Sequence, residues 1–365
     1  MIKDNCFTEE WLERFEKQEA HKRIDKIILE KMIYALHLLE SLKANGLKFV
    51  FKGGTSLLLL LKEESRFSID VDIICKAGKK DIEKILNKVI DTSRFTSWEL
   101  DEHRSYLPGV PKAHYKFSFD TNQQGSGTIL LDILIEDSIY PAHIEMPVKA
   151  KWIETDAETV VTVPTIDAIT GDKLTAFAPN TIGIPFFKGK DKQPFSMEIC
   201  KQLFDLSRLF EHIADVEMVA RSFKAFAKRE IHYWKRISPE NKLTPGKVLQ
   251  DIINTCLIIS KRGVGSVDEK QKFAELQKGI RAFDRFLISG HFRIDDAIPA
   301  ASRIAYLAAK ILVNDLSPIA YFQGQDIKSL NIENPKWTFL NKLKKQPDKS
   351  SFFYWYKTVQ ILAGG

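Results

Sequence analysis

A chain of 365 residues, 44% of them hydrophobic and carrying a net charge of +6, is long enough for two domains with substantial cores and too apolar to be disordered. No apolar run reaches the roughly 18 residues of a membrane span, and residues 1–20 are rich in charge with no signal-peptide core. Four cysteines, Cys6, Cys75, Cys200 and Cys256, lie far apart with no Cys-x-x-Cys pair, which argues against a zinc site or disulfide frame and for a reducing, cytoplasmic setting.

The first predicted elements are helices over Thr8 to Gln18 and Ile24 to Lys43. In the second, Ile27, Ile28, Met32, Ala35, Leu36 and Leu39 recur at three- and four-residue spacing, and Asn45-Gly46 stops it. Leu47 to Phe51 reads as a short apolar strand ended by Gly53-Gly54. The run Thr55 to Leu61 fits strand or helix by period, and the turn before it favours a buried helix start. Arg66 to Ile74 alternates, with Phe67, Ile69, Val71 and Ile73 on one face and Ser68, Asp70 and Asp72 on the other. Lys80 to Asp91 is an amphipathic helix. Ala113 to Asp120 alternates again, the polar stretch Thr121 to Gly127 turns the chain, and Ile129 to Glu136 returns as a strand with Asp132 inside it, a hairpin with a long loop. After Pro164 helical patterns dominate. The boundary falls near 160, giving a first domain over 1–160 and a mostly helical one over 161–365. There is no internal repeat or low-complexity segment.

The carboxylates carry the chemistry. Asp70 and Asp72 share a strand face, and two such neighbours ionise together only when cations neutralise them. Magnesium suits the pair, because it takes hard oxygen ligands and completes its shell with substrate phosphates. Asp132, between Leu131 and Ile133, offers a third. Three carboxylates on adjacent strands can hold two metals roughly 3.5–4 Å apart, as in-line phosphoryl or nucleotidyl displacement requires. Gly53 and Gly54 let backbone approach a phosphate, the following helix N-terminus offers N–H groups and a positive dipole end, and Thr55 and Ser56 add hydroxyls. Each part alone has a plain reading: a turn, a solvated face, an edge-strand charge. Their order is far more specific than any one of them.

That order resembles the nucleotidyltransferase superfamily of the DNA polymerase β type, whose pattern is h-G-[GS], then D-h-D, then h-[DE]-h. More narrowly, "FKGGTSLLLLL" and "RFSIDVDI" resemble the AbiEii/AbiGii toxin family, relatives of the mycobacterial MenT toxins, in which K-G-G-T-[AS]-L precedes R-x-S-x-D-[IV]-D. Two further helices fit: "GDKLTAF" supplies Lys173 and "KQLFDLSRLF" supplies Asp205. The chain departs from the family in having Lys201-Gln202 for Arg-Asp and Phe204 for the tyrosine of Tyr-Asp-Leu. The matched motifs cover residues 50–75, 128–136 and 170–210.

The resemblance implies an α+β nucleotidyltransferase domain, a mixed sheet with flanking helices, followed by a mostly helical C-terminal domain that completes the nucleotide cleft. It implies transfer of NMP from an NTP to an acceptor hydroxyl with Mg2+ or Mn2+, by a toxin of a type IV toxin–antitoxin or abortive-infection system. RNA, tRNA above all, is the implied acceptor, and a cognate antitoxin the implied partner. Carried onto this chain, Asp70, Asp72 and Asp132 bind metal. Lys52, Gly53, Gly54, Thr55, Ser56, Arg66 and Ser68 surround the nucleotide. Lys173 neutralises triphosphate and Asp205 orients or assists. Read without the family, Lys173 is a surface lysine, Asp205 a helix-surface charge, and Arg66 a partner for either a phosphate or a neighbouring acid.

Between Arg221 and Lys247 eight lysines and arginines face two acids, with Phe223, Phe226, Tyr233 and Trp234 interleaved. Such a stretch suits RNA and equally a solvated helix whose aromatics enter the core. The loop "FFKGKDKQ" adds Lys188, Lys190 and Lys192, either at the nucleotide or simply exposed. There is no P-loop, no G-x-G-x-x-G, no H-x-x-x-H pair and no G-x-S-x-G elbow. The rival readings are a nucleotidyltransferase acting on a small molecule or protein, a catalytically silent nucleotide-binding module, and a kinase-like phosphotransferase.

Overall fold

The computed structural model describes residues 1–16, 24–61, 65–105, 110–122, 125–189, 191–237 and 242–364. Two compact units result, one of Met1–Thr165 with Arg285–Gly290, the other of Ile166–Asp284 with His291–Gly365. The first contains α1 (Glu9–Glu16), α2 (Lys26–Ala44), β1 (Val50–Lys52), α3 (Leu57–Leu60), β2 (Val71–Ile74), α4 (Lys79–Thr92), β3 (Phe95–Leu100), α5 (Glu102–Ser105), β4 (Lys112–Thr121), β5 (Gly125–Leu134), β6 (His143–Pro147) and β7 (Val160–Pro164). Among the described residues its strands form a seven-stranded sheet in the order β3-β4-β5-β2-β1-β7-β6. The sheet is mixed: β2 runs parallel to β5 and β1 parallel to β7, while the other neighbours are antiparallel.

One sheet face is apolar because every second residue is. Phe51, Val71, Ile73, Tyr115, Phe117, Phe119, Ile129, Leu131 and Ile133 are all fully buried, each in phase with its strand neighbours. Helix α2 is buried nearly all round, and its Tyr34 ring stacks on Phe119 with centroids 3.7 Å apart. The Asp25 carboxylate caps it by accepting from the N–H groups of Ile27 and Ile28, and Gly46 leaves it at φ +86°.

Several expected elements are resized. The alternation over Arg66 to Ile74 predicts one long strand, yet β2 spans only Val71–Ile74, so Asp70 precedes it. The upstream half pairs elsewhere: Phe67 N–H donates to the Phe286 carbonyl at 2.7 Å and Ile288 N–H to that of Ser65 at 3.1 Å. The helix expected from Thr55 is the single turn of α3. The expected long hairpin loop shortens, because β5 begins at Gly125. The helix expected to end at Gln18 is described to Glu16; its remainder lies outside the described residues. Strands β3, β6 and β7 are additional to those read from the sequence.

The second unit holds α6 (Ile166–Ala176), a ribbon of β8 (Phe187–Lys188) and β9 (Gln193–Pro194), α7 (Ser196–Phe210), α8 (Val216–Ile237), α9 (Pro245–Ser260), α10 (Val267–Phe283), α11 (Ile294–Leu312) and α12 (Ser350–Gly364). It is mostly helical, as expected. Helices α6 and α8 approach closely at Gly171, where a Cβ would meet the backbone N of Phe223 at 2.5 Å and the carbonyl of Val219 at 2.6 Å. The Ser222 hydroxyl donates across that crossing to the Ala168 carbonyl. All four cysteines are free and buried. Among the described residues no helix is long and apolar enough to cross a membrane.

Candidate active site

Strand register assembles the site. Lys52 of β1 lies opposite Asp72 of β2, Asp72 opposite Asp132 of β5, and Asp132 opposite His114 of β4. Residues opposite one another share a face, so Lys52, Asp72, Asp132 and His114 form one polar row across four neighbouring strands. All four are half-buried, while the residues flanking them along their strands, Phe51, Val71, Ile73, Leu131, Ile133, Ala113 and Tyr115, are buried on the other face. Asp70 is exposed, two residues ahead of Asp72. Like charges placed directly opposite repel, and the two aspartates are flanked in the row by a cationic lysine and by histidine. His114 Nδ1 lies 2.6 Å from Asp132 Oδ1.

The glycine turn supports this row. Gly53 has φ +79°, and a Cβ there would overlap the Asp72 carboxylate. A Cβ on Gly54 would meet Arg66 Nη2 at 2.5 Å and Ser68 Oγ at 3.0 Å. The sequence assigns these glycines to phosphate approach; in the structure they also admit the Asp72 carboxylate and the Arg66 guanidinium. Arg66 is buried, and its Nη1 donates to the Phe67 carbonyl at 3.0 Å. Thr55 and Ser56 are buried as well. The Ser56 hydroxyl donates to the Gly53 carbonyl at 2.9 Å, and the Thr55 hydroxyl bonds the Asp70 carbonyl and lies 2.9 Å from Ser68 Oγ. These hydroxyls lace the turn to the aspartate segment. At the start of α3 the N–H groups of Leu57, Leu58 and Leu59 close back onto the carbonyls of Gly54, Thr55 and Ser56, and a four-residue helix sums few peptide dipoles.

The donors can be tested against a divalent cation. Among the described residues no group of three or more histidine, cysteine, aspartate or glutamate side chains is gathered closely enough to hold a metal ion by itself. The fold does set Asp72 and Asp132 side by side. Magnesium seldom uses an all-protein cage; it takes one or two carboxylates together with waters and substrate phosphates. A pair of hard oxygen donors with Asp70 nearby in sequence fits that habit, and fits Mn2+ equally.

In the second unit the structure brings Lys173 and Asp205 together. Lys173 Nζ stands 2.7 Å from Asp205 Oδ2 and 3.3 Å from Gln202 Oε1, with the two side chains 5% and 2% exposed. Read without the family both are surface charges; in the structure both are buried, between α6 and α7. Gln202, one of the departures from the family pattern, accepts from the same ammonium.

Helix phase divides the basic stretch. Phe223, Phe226 and Tyr233 are buried and Trp234 half-buried, while Arg221, Lys224, Lys228, His232 and Lys235 are exposed. These five recur every three or four residues and so lie along one side of α8. Lys188 and Lys192 are exposed on the β8–β9 ribbon; Lys190 lies outside the described residues. Sequence reasoning missed His114. Its only signal is its polar phase in β4, and the register that sets it against Asp132 is not readable from that strand alone.

The family described as nucleotidyl transferase AbiEii toxin, of type IV toxin–antitoxin systems, matches residues 37–285, which include the polar row, the glycine turn and the Lys173–Asp205 pair. No curated protein matches the chain. Among solved structures it is similar to a candidate nucleotidyltransferase from H. pylori, at 16% identity over 70% of this chain and 92% of that one, with a TM-score of 0.33. It is also similar to an antigenic nucleotidyltransferase-like protein from Paracoccidioides brasiliensis, at 9% identity over 58% and 89% of the two chains, with a TM-score of 0.35.

Proposed function

Because the chain belongs to the AbiEii nucleotidyl transferase toxin family, we propose that it transfers a nucleoside monophosphate from an NTP to a hydroxyl of RNA, tRNA in particular, and is the toxin of a pair with a cognate antitoxin. The observation that carries the catalytic reading is the in-register Asp72–Asp132 pair beside the Gly53 turn. The acceptor hydroxyl loses its proton to solvent as its oxygen bonds to the α-phosphorus, the bond from the α-phosphorus to the oxygen bridging to the β-phosphate breaks, and pyrophosphate leaves with that electron pair.

Asp72 and Asp132, with Asp70 two residues ahead, would hold Mg2+ or Mn2+ together with the substrate phosphates, and the bound metal would supply charge neutralisation of the triphosphate and acidify the acceptor hydroxyl. The protein's own part is placement. Gly53 lets the Asp72 carboxylate lie against the turn, Thr55 ties the turn to the Asp70 backbone, and Arg66 and Ser68 pack over Gly54. Lys52, next to Asp72 in the row, lowers the cost of the paired carboxylates and is a cation for a phosphate oxygen. Lys173, oriented by Asp205 and Gln202, is the cation assigned to the triphosphate in the second unit. The exposed cations along α8 suit an RNA backbone. Four free thiols are in keeping with the reducing cytoplasm as the setting.

The test is incubation with each labelled NTP, Mg2+ and total cellular RNA or purified tRNA. Label should enter RNA with at least one NTP. Asp72→Ala removes metal stabilisation worth several kcal/mol, so transfer should fall roughly 1,000-fold or more. Transfer should weaken steeply with salt, and replacing Lys224, Lys228 and Lys235 together by Gln should make the log–log slope shallower by about 2, at ~0.7 per lost phosphate contact. Label entering only protein or a small molecule would replace the acceptor; unaltered turnover in Asp72→Ala would remove the site.

A further inference from the structure

We propose that His114 is the positioning residue for the Asp132 carboxylate and thereby sets the affinity of the site for its divalent cation; this rests on the metal reading of Asp72 and Asp132. The geometry comes from the backbone. His114 turns both of its peptide groups away from β5: its N–H donates to Ser105 Oγ at 2.8 Å, and its carbonyl accepts from the Asp101 N–H at 2.8 Å. The His114–Asp132 pair is therefore a non-hydrogen-bonded pair of the antiparallel ladder, the kind in which facing Cα atoms stand nearer and side chains meet most closely. The imidazole accordingly reaches the carboxylate at 2.6 Å, with the two side chains 14% and 24% exposed.

With Asp132 ionised as a metal ligand its oxygen can only accept, so Nδ1–H is the donor of this bond. One oxygen of Asp132 is thus fixed, and with it the plane of the carboxylate. The neighbour on the other side is Asp72, whose carboxylate is confined over Gly53. Two acids that repel each other are held in register, one by a glycine and the other by an imidazole. A partner of this kind, which touches no metal itself, acts by orienting the residue that does. Removing such partners typically costs about 10–100-fold in metal affinity.

The experiment measures Mn2+ binding by electron paramagnetic resonance, without nucleotide and without turnover, in the intact chain. Wild type is compared with His114→Ala, His114→Asn, Asp72→Asn and Asp132→Asn, and each variant's fold is checked by melting in chelator. His114→Ala should weaken Mn2+ about 10-fold or more at an unchanged metal-free melting temperature. His114→Asn, whose amide can donate to the same oxygen, should recover most of the loss. Binding that needs Asp72 and Asp132 but is unaltered in His114→Ala, or an Asn variant as weak as the Ala variant, overturns the role of His114 alone. Wild-type binding indifferent to Asp72 and Asp132 overturns the metal site together with it.

Discussion

Gly53 shows how much one hydrogen atom in place of a side chain can decide. Two demands meet there, a left-handed backbone and the Asp72 carboxylate lying where a Cβ would be. Gly46 makes only the first demand, with φ +86° and nothing within 4 Å of a built Cβ. Gly46→Ala and Gly53→Ala therefore share a backbone cost of about 1–2 kcal/mol, but only Gly53→Ala displaces Asp72. Denaturant unfolding should show both variants destabilised. NMP transfer should be intact in Gly46→Ala and roughly 100-fold lower in Gly53→Ala, the scale of losing an orienting contact. Equal transfer in the two would show that Asp72 needs no such placement. At this scale the sequence was informative where spacing alone fixes geometry. Asp70 and Asp72 stand one residue apart on any strand or turn. The same reasoning cannot find His114, which reaches Asp132 only through the pairing of two strands, nor foresee that the hydroxyls of Thr55 and Ser56 turn inward.

Elements were legible in proportion to the length and clarity of their period. Helices α2 and α4 and strand β4 fall nearly where their patterns place them, because long runs repeat their pattern. Strand β2 was read too long, since alternation continues through Phe67 and Ile69 while the backbone there bonds to residues 286 and 288, far away in sequence. Helix α6 hides its geometry differently. It is apolar on several sides, and Lys173 sits among buried neighbours without any amphipathic pattern to announce it. That burial makes the Lys173–Asp205 pair a test of structure against chemistry. Lys173→Met leaves the Asp205 carboxylate buried with its cation gone, at a cost of about 3–5 kcal/mol, whereas Lys173→Met combined with Asp205→Leu removes both charges and should be markedly less destabilised. Chemical denaturation checks this order; a single variant costing as little as a surface substitution would mean that the pair does not hold α6 to α7. Transfer in the stable double variant then reports on chemistry, and its loss there supports a role at the triphosphate.

For the molecule as a whole, the change of pattern after Pro164 suggests a boundary near 160, and the first compact unit comprises Met1–Thr165 together with Arg285–Gly290. The return of Arg285–Gly290 to that unit was not legible, because a six-residue segment carries no period and its partners lie some 220 positions earlier. The first unit also buries a titratable group unconnected with catalysis. His37 of α2 packs against Phe7 and Phe95, and its Nδ1 has no hydrogen-bond partner among the described residues. Burial, reinforced by Arg94 and the N-terminal ammonium and opposed by Asp4, lowers its pKa from the ordinary 6.5 to about 4. The unfolded chain therefore binds this proton first. The stabilisation is fully present above pH 6.5 and is lost as pH falls towards 4, by on the order of 3 kcal/mol over the whole interval and about 2 kcal/mol by pH 5. Glu40, on the same helix, works the other way: burial raises its carboxyl above the ordinary range, so the folded state takes up that proton first and recovers part of the loss as pH falls. Comparing His37→Gln with wild type cancels the Glu40 contribution. Hydrogen exchange of the β4–β5 amides at pH 7.5 and pH 5, corrected for intrinsic rates, reads the stability of this unit directly. The wild type should lose about 2 kcal/mol more than His37→Gln between those two pH values; equal losses would mean that the imidazole is solvated or protonated in the folded state.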